Sequence, residues 1–118
     1  IENEDQRLLM DRSQIEQVLI NLLKNAQEAV EKDEAPYVRL TTHLSSNKRD
    51  FIISITDNGK GILPEVMERI FVPFFTTKTN GSGIGLSICK QIVTLHGGTI
   101  TASSKPGDNT TFSVVLPV

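Results

Sequence analysis

Two glycine-rich turns, Asp57-Asn58-Gly59-Lys60-Gly61 and Gly81-Ser82-Gly83-Ile84-Gly85, flank an aromatic and proline knot, Phe71-Val72-Pro73-Phe74-Phe75. Upstream of both, Asn21 and Asn25 stand four residues apart, a spacing that stacks two amides on one face of a helix. A carboxylate can accept from a base's exocyclic amine, an amide oxygen can serve a hard cation, and bare backbone at a helix start can hold phosphates. Taken in this order, the pieces describe a nucleotide pocket.

Each piece also has a purely structural reading. Asn21 and Asn25 sit among apolar neighbours, Leu19-Ile20-Asn21-Leu22-Leu23-Lys24-Asn25-Ala26, where buried amides need partners. They read either as core amides bonded to backbone or as an oxygen ligand for Mg²⁺, with Glu28 near the same face holding a metal-bound water or simply solvated. Asp57 ends an apolar stretch; Asn58-Gly59 could be an ordinary turn, but no strand follows at once, and Gly59 and Gly61 would admit a ligand ring close to the backbone. Gly81–Gly85 is expected at a helix start, where free amides favour anions, with Thr76, Thr77 and Lys78 as donors to phosphates. Its GxGxG spacing is not the dinucleotide fingerprint, and the chain has no GxxxxGK[ST] phosphate loop. The Phe71–Phe75 knot reads as local core or as an exposed docking surface.

The elements that must position these residues follow from periodicity. Ile15, Val18, Leu19, Leu22, Ala26, Ala29 and Val30 recur at intervals of three and four, predicting a helix from about 13 to 32, capped by Asp11 or Ser13. Val38–Leu44 alternates and Phe51–Asp57 returns after a turn at 45–50, a hairpin. A short helix is expected from Pro64 to about Arg69, and another from the second glycine turn to His96-Gly97-Gly98. Thr99–Ser103 and Thr111–Leu116 complete the chain around the turn Lys105-Pro106-Gly107-Asp108-Asn109. The expected fold is an α/β two-layer sandwich, four or five strands in a mostly antiparallel mixed sheet with three helices on one face.

At 118 residues, residues 1–118 are read as a single domain. A net charge of −2 without a basic stripe argues against nucleic acid. The lone cysteine, Cys89, cannot form an internal disulfide and reads as a small core residue in a reducing compartment. No apolar run reaches the ~20 residues that cross a bilayer. The chain begins at Ile1 without Met or a charged leader, so it is expected to be a fragment of a longer protein whose membrane attachment stays open.

Gln17–Ala26 resembles the N box of bacterial sensor histidine kinases, within the wider superfamily of gyrase, heat-shock chaperone and mismatch-repair ATPases. Asp57–Ile62 resembles the first glycine box, Phe71–Lys78 the F box and Gly81–Leu86 the second glycine box. His96–Ile100, Thr110-Thr111-Phe112 and Leu116-Pro117 are also similar, so the resemblance spans roughly residues 8–117. It implies the Bergerat-type sandwich and an ATP-binding catalytic domain. By that resemblance Asn25 coordinates Mg²⁺ between protein and phosphates, with Asn21 in support. Asp57 reads the adenine amino group, and Gly59 and Gly61 shape its pocket. Lys78 and the glycine loop contact phosphates, and Thr111 lies near the adenine end. Ile62, Phe74, Thr77, Gly81, Gly83, Ile84, Gly85 and Leu86 complete the implied nucleotide site, and Thr76–Gly83 is a short mobile lid. Asn21, Asn25 and Lys78 are the implied catalytic residues.

The hydrolases of that superfamily carry a glutamate where this chain has Asn21, and an amide cannot act as general base. The resemblance thus implies a chain that holds ATP without rapid hydrolysis and donates its γ-phosphoryl group to a histidine elsewhere. His43 and His96 lack the phosphoacceptor's context. The implied partners are the kinase's own helical dimerisation and phosphoacceptor domain and, downstream, a response regulator receiver domain. The parent is expected to be a homodimer, this domain alone a monomer, cytoplasmic, with the parent anchored in the inner membrane or free. An ATPase-driven clamp, a serine kinase and a nucleotide sensor with lapsed chemistry are the rival readings.

Overall fold

A computed structural model describes residues 11–31, 34–75 and 85–118. The first element, α1 (Arg12–Val30), starts at Asp11, whose carboxylate accepts from the backbone amides of Ser13 and Gln14 at 3.0 and 3.2 Å. Of the two caps the sequence allowed, Asp11 is therefore the one used. The Ser13 hydroxyl donates to the same oxygen at 2.8 Å, and Glu16 turns aside to pair with Arg12 at 3.3 Å. The Ser13 hydroxyl bond, then the Gln14 amide, hold the Asp11 carboxyl below the ordinary carboxylate range. Ile15, Val18, Leu22, Ala26 and Val30 are buried, one side chain per turn along the face that periodicity picked out.

After α1 come β1 (Val38–Leu44), β2 (Asp50–Asp57), the single turn α2 (Pro64–Met67), α3 (Gly85–Leu95), β3 (Thr99–Lys105) and β4 (Asn109–Pro117). The strands lie in the order β1-β2-β4-β3, and among the described residues every pairing is antiparallel. The two-layer α/β fold is the one expected. The strands outrun their apolar stretches by one or two residues because backbone pairing continues through polar ends, as at Lys105 opposite Asn109.

Helices α1 and α3 pack on one face of the sheet. Their buried residues meet Phe51, Ile53 and Ile55 of β2, Ile100 of β3, and Phe112, Val114 and Leu116 of β4. Full burial of side chains of this size is worth ~1.5–3 kcal/mol each, far more than any helix propensity, so the packing holds the helices. Cys89 of α3 is fully buried in this core, as expected of it. Burial raises its thiol above the usual range, partly offset by a hydrogen bond from the Asn21 side chain.

The other face of the sheet carries hydroxyls. Thr41, Ser54, Ser113 and Thr101 form one row across all four strands, with the Ser54 and Ser113 oxygens 3.2 Å apart. At the far end of the helix layer, α3 closes in a Schellman turn: Gly97, at φ 77°, donates to Thr94 O, and Gly98 donates to Val93 O. There His96 bonds through both ring nitrogens, Nδ1–H donating to Ile92 O at 2.8 Å and Nε2 accepting the Asp11 backbone N–H at 3.0 Å. The end of α3 thus clasps the start of α1.

Candidate functional site

The opposite end of the molecule is where the chemistry-bearing residues converge. β2 alternates with regular burial, so Asp57, its last residue, points into the helix-covered layer behind Phe51, Ile53 and Ile55. Only 4% of Asp57 is exposed, and its Oδ1 accepts the Gly59 amide at 2.8 Å. The turn that follows is held from three sides. Asn58 accepts the Tyr37 amide at 2.8 Å and donates to Ala35 O at 2.9 Å, tying the turn to the chain ahead of β1.

Gly59 lies flat against α1, where a Cβ would fall 2.6 Å from Ala29 O and 2.9 Å from Ala29 Cβ. Gly61 adopts φ 78°, and a Cβ there would fall 2.6 Å from Lys105 O in the β3–β4 hairpin. The hairpin grips the turn directly: Gly107 N donates to Lys60 O at 2.5 Å, and Ile62 N donates to Ser104 Oγ at 2.7 Å. Both glycines are therefore required by close packing of protein on protein. That packing fixes where the turn lies.

Along α1, Asn21, Asn25 and Ala29 fall in one row at i, i+4, i+8. At its far end the row meets the glycine turn, where Ala29 abuts Gly59, while Cys89 Sγ of α3 donates to Val18 O, at 3.8 Å, near its start. Asn25, half-buried, sits between α3 and the glycine turn, one helical turn, ~6 Å, from the residue that touches that turn. The structure leaves Asn21 half-buried on the side of α1 toward the Cys89 thiol. It also places Asn25 beside the Asp57 turn, with Glu28 half-buried next along the helix.

Other expected residues fall differently. Thr111 does not share a face with Asp57. Its Oγ1 lies 2.9 Å from Thr56 Oγ1 on the hydroxyl face, because side chains alternate along β4 and Phe112, Val114 and Leu116 occupy the helix side. The residue that does face inward is Thr110, 4% exposed and directly opposite Asp57 in the β2–β4 register. Phe74 is not enclosed: 77% of it is exposed, on a backbone at φ 68°. Its neighbour Phe71 takes the core role, edge-on to Phe112 at 6.4 Å, with Lys90 Nζ 5.4 Å above the ring. Ile62 and Leu86 lean on the hydrophobic core as partly buried packing residues, and Gly85 opens α3 with open space where a side chain would stand. Thr77, Lys78, Gly81, Gly83 and Ile84, with the rest of the expected lid, lie outside the described residues.

Sequence reasoning missed Thr110 and Ser104. Period-two counting back from Leu116 through Val114 and Phe112 would have reached Thr110. Nothing local marks Ser104, whose role depends on a turn 42 residues earlier.

The described groups are a buried carboxylate, Asp57, opposite a buried hydroxyl, Thr110, with half-buried Asn25 on α1 one helical turn before the residue that touches the glycine turn. Among the described residues, no group of three or more His, Cys, Asp and Glu side chains could hold a metal ion unaided. That donor set fits a cation held mainly by phosphates and water with an amide oxygen in support.

The histidine kinase-, DNA gyrase B- and HSP90-like ATPase family matches residues 10–118. The chain is 39% identical over 113 residues to the sensor histidine kinase ZraS of Salmonella typhi, covering 95% of this chain and 23% of that protein. It is 39% identical over 118 residues to the signal transduction histidine-protein kinase AtoS of Escherichia coli (strain K12), covering 100% and 19%. The chain thus spans about a fifth to a quarter of these curated relatives. Among solved structures, the nucleotide-free catalytic domain of histidine kinase ThkA superposes with a TM-score of 0.82 at 39% identity, over 98% of this chain and 74% of that one. The mycobacterial sensor histidine kinase MprB superposes with a TM-score of 0.81 at 28% identity, over 93% and 76%.

Proposed function

The chain belongs to the histidine kinase-, DNA gyrase B- and HSP90-like ATPase family, and from that premise we propose that residues 1–118 are the catalytic ATP-binding domain of a sensor histidine kinase. The observation that carries the reading is the buried Asp57 carboxylate over a glycine turn clamped between α1 and the β3–β4 hairpin. A buried carboxylate at the floor of such a turn suits an exocyclic amine, which donates where a carboxylate accepts.

In this reading Asp57 holds the adenine amino group and the turn orients the ring. Asn25 would supply the protein's oxygen ligand to Mg²⁺, which when bound would draw charge from the phosphates. Lys78 and the second glycine turn would hold the phosphates at the start of α3. The chain's part in the reaction is positioning and charge neutralisation, so that an imidazole nitrogen on a separate helical dimerisation domain attacks the γ-phosphorus in line as the bond to ADP breaks. Asn21, an amide, offers no general base to water, which favours transfer over hydrolysis. The parent protein would be a homodimer through that helical domain, pass its phosphoryl group to a receiver domain, and sit in the cytoplasm with or without a membrane anchor. No helix among the described residues is long and apolar enough to cross a membrane.

Calorimetric titration with a non-hydrolysable ATP analogue tests the reading. Binding tightened by Mg²⁺ in the wild type, but not in Asn25→Ala, is the expected outcome. No binding at millimolar nucleotide would overturn it. The second step is transfer of ³²P from γ-labelled ATP to a histidine-bearing helical domain supplied in trans.

A further inference from the structure

We propose that Ser104 is a positioning residue that makes the site select a 6-amino purine over a 6-oxo purine, acting through Thr110; this rests on the ATP reading of the Asp57 site. Ser104 Oγ has three partners: Ile62 N at 2.7 Å, Asn109 O at 2.8 Å and Thr110 Oγ1 at 3.0 Å. A serine hydroxyl has one proton. Ile62 N–H can only donate and Asn109 O can only accept, so the Ser104 proton goes to Asn109 O. The remaining contact is satisfied only if Thr110 donates its own proton to Ser104.

The consequence falls on the pocket floor. With its proton committed, Thr110 Oγ1 can only accept elsewhere, and Asp57 beside it is a carboxylate that can only accept. The two residues are paired across β2 and β4, point to the same face and are each 4% exposed. Directly opposed side chains of this kind lie ~4.5–5.5 Å apart, within reach of one amino group or of an amine and a bridging water. The two side chains paired across the floor, Asp57 and Thr110, thus both present acceptors to a ligand. An amino group satisfies them, whereas a 6-oxo group brings a third acceptor and leaves buried oxygens facing one another. The same serine pins Ile62 and sits 3.0 Å from where a Gly61 Cβ would be, so one hydroxyl sets both the turn and the polarity of the floor.

The test compares calorimetric affinities of the 118-residue chain for ATP and inosine triphosphate, each with Mg²⁺. In Ser104→Ala the Thr110 hydroxyl is released and can turn to donate to a 6-oxo group. The expected result is a preference for ATP over inosine triphosphate that narrows by about tenfold. Ser103→Ala, on the exposed face of the same strand, leaves the preference unchanged. A serine that merely braced the fold would weaken both nucleotides alike, so a folded Ser104→Ala protein with the wild-type ratio overturns the proposal. If circular dichroism shows that variant unfolded, the near-isosteric Thr110→Val decides: a narrowed ratio supports the proposal and an unchanged one overturns it. Failure of the wild type to bind ATP overturns the nucleotide reading itself, a result distinct from wild-type binding with no effect at Ser104.

Discussion

The two ends of α1 hold polar groups in opposite ways. At its start, Asp11 and His96 satisfy each other and their own helices on an exposed surface, with helix-end groups as partners. At its far end, Ala29 abuts a turn whose neighbours, Asp57 and Thr110, are buried acceptors at the mouth of a glycine-shaped floor. The first arrangement joins two helices through groups that satisfy one another. The second is over-determined by backbone packing that a stability role alone does not require. What separates a clasp from a site, then, is that the site's geometry is fixed from outside the functional groups themselves.

The largest effect is expected where that outside fixation is broken. Gly61→Ala would force a side chain into a left-handed backbone and against Lys105 O, costing about 1–3 kcal/mol in chemical denaturation and removing nucleotide binding altogether. Retained binding would show that the turn does not shape the site. Next, Asp57→Asn keeps an oxygen for the Gly59 amide, so its melting temperature should stay close to wild type while ATP affinity falls about 100-fold. Equal loss of stability and affinity would reduce Asp57 to a structural group.

At the clasp the pattern should reverse. His96→Phe keeps the ring but loses both hydrogen bonds, an expected cost of about 1–2 kcal/mol with ATP affinity unchanged. The smallest effect belongs to Asp11→Ala, read in acid. The Asp11 carboxyl is held low in the folded chain, chiefly by the Ser13 hydroxyl. Its contribution is therefore fully present above the unfolded-state value and is lost as pH falls through the folded one. Stability measured from pH 6 down to pH 2 should decline less steeply in Asp11→Ala than in the wild type. Parallel curves would remove the cap from the acid response.

How much of this was legible in the sequence depends on how local each signal is. The helix α1 and strand β2 were readable because apolar spacing reports a buried face directly, and Asp57 was readable because it ends such a strand; β1 alternates in sequence but is exposed on both faces up to Leu44. Thr111 was placed near the adenine end by motif similarity; the alternation of β4 puts it on the hydroxyl face and Thr110 on the face of Asp57. The cap was split between Asp11 and Ser13 because both residues suit the position, and only the backbone at Asp11 decides it. The bond at His96 had no local signal, since its partner lies 85 positions away. The glycines were readable as necessary, but their reason was not: each makes room for another part of the chain, Ala29 for Gly59 and Lys105 for Gly61.

The strand order carries one more consequence. β4, last along the chain, lies between β2 and β3 in the interior of the sheet. During synthesis the ribosome delivers the sheet's middle last, so β2, with Phe51, Ile53 and Ile55, waits with one edge unpaired until residues 109–117 emerge. The turn at Asp57 likewise waits for Ser104 and Gly107. The nascent chain therefore cannot fix the Asp57 turn ahead of time, and a chaperone has its longest opportunity at the β2 edge.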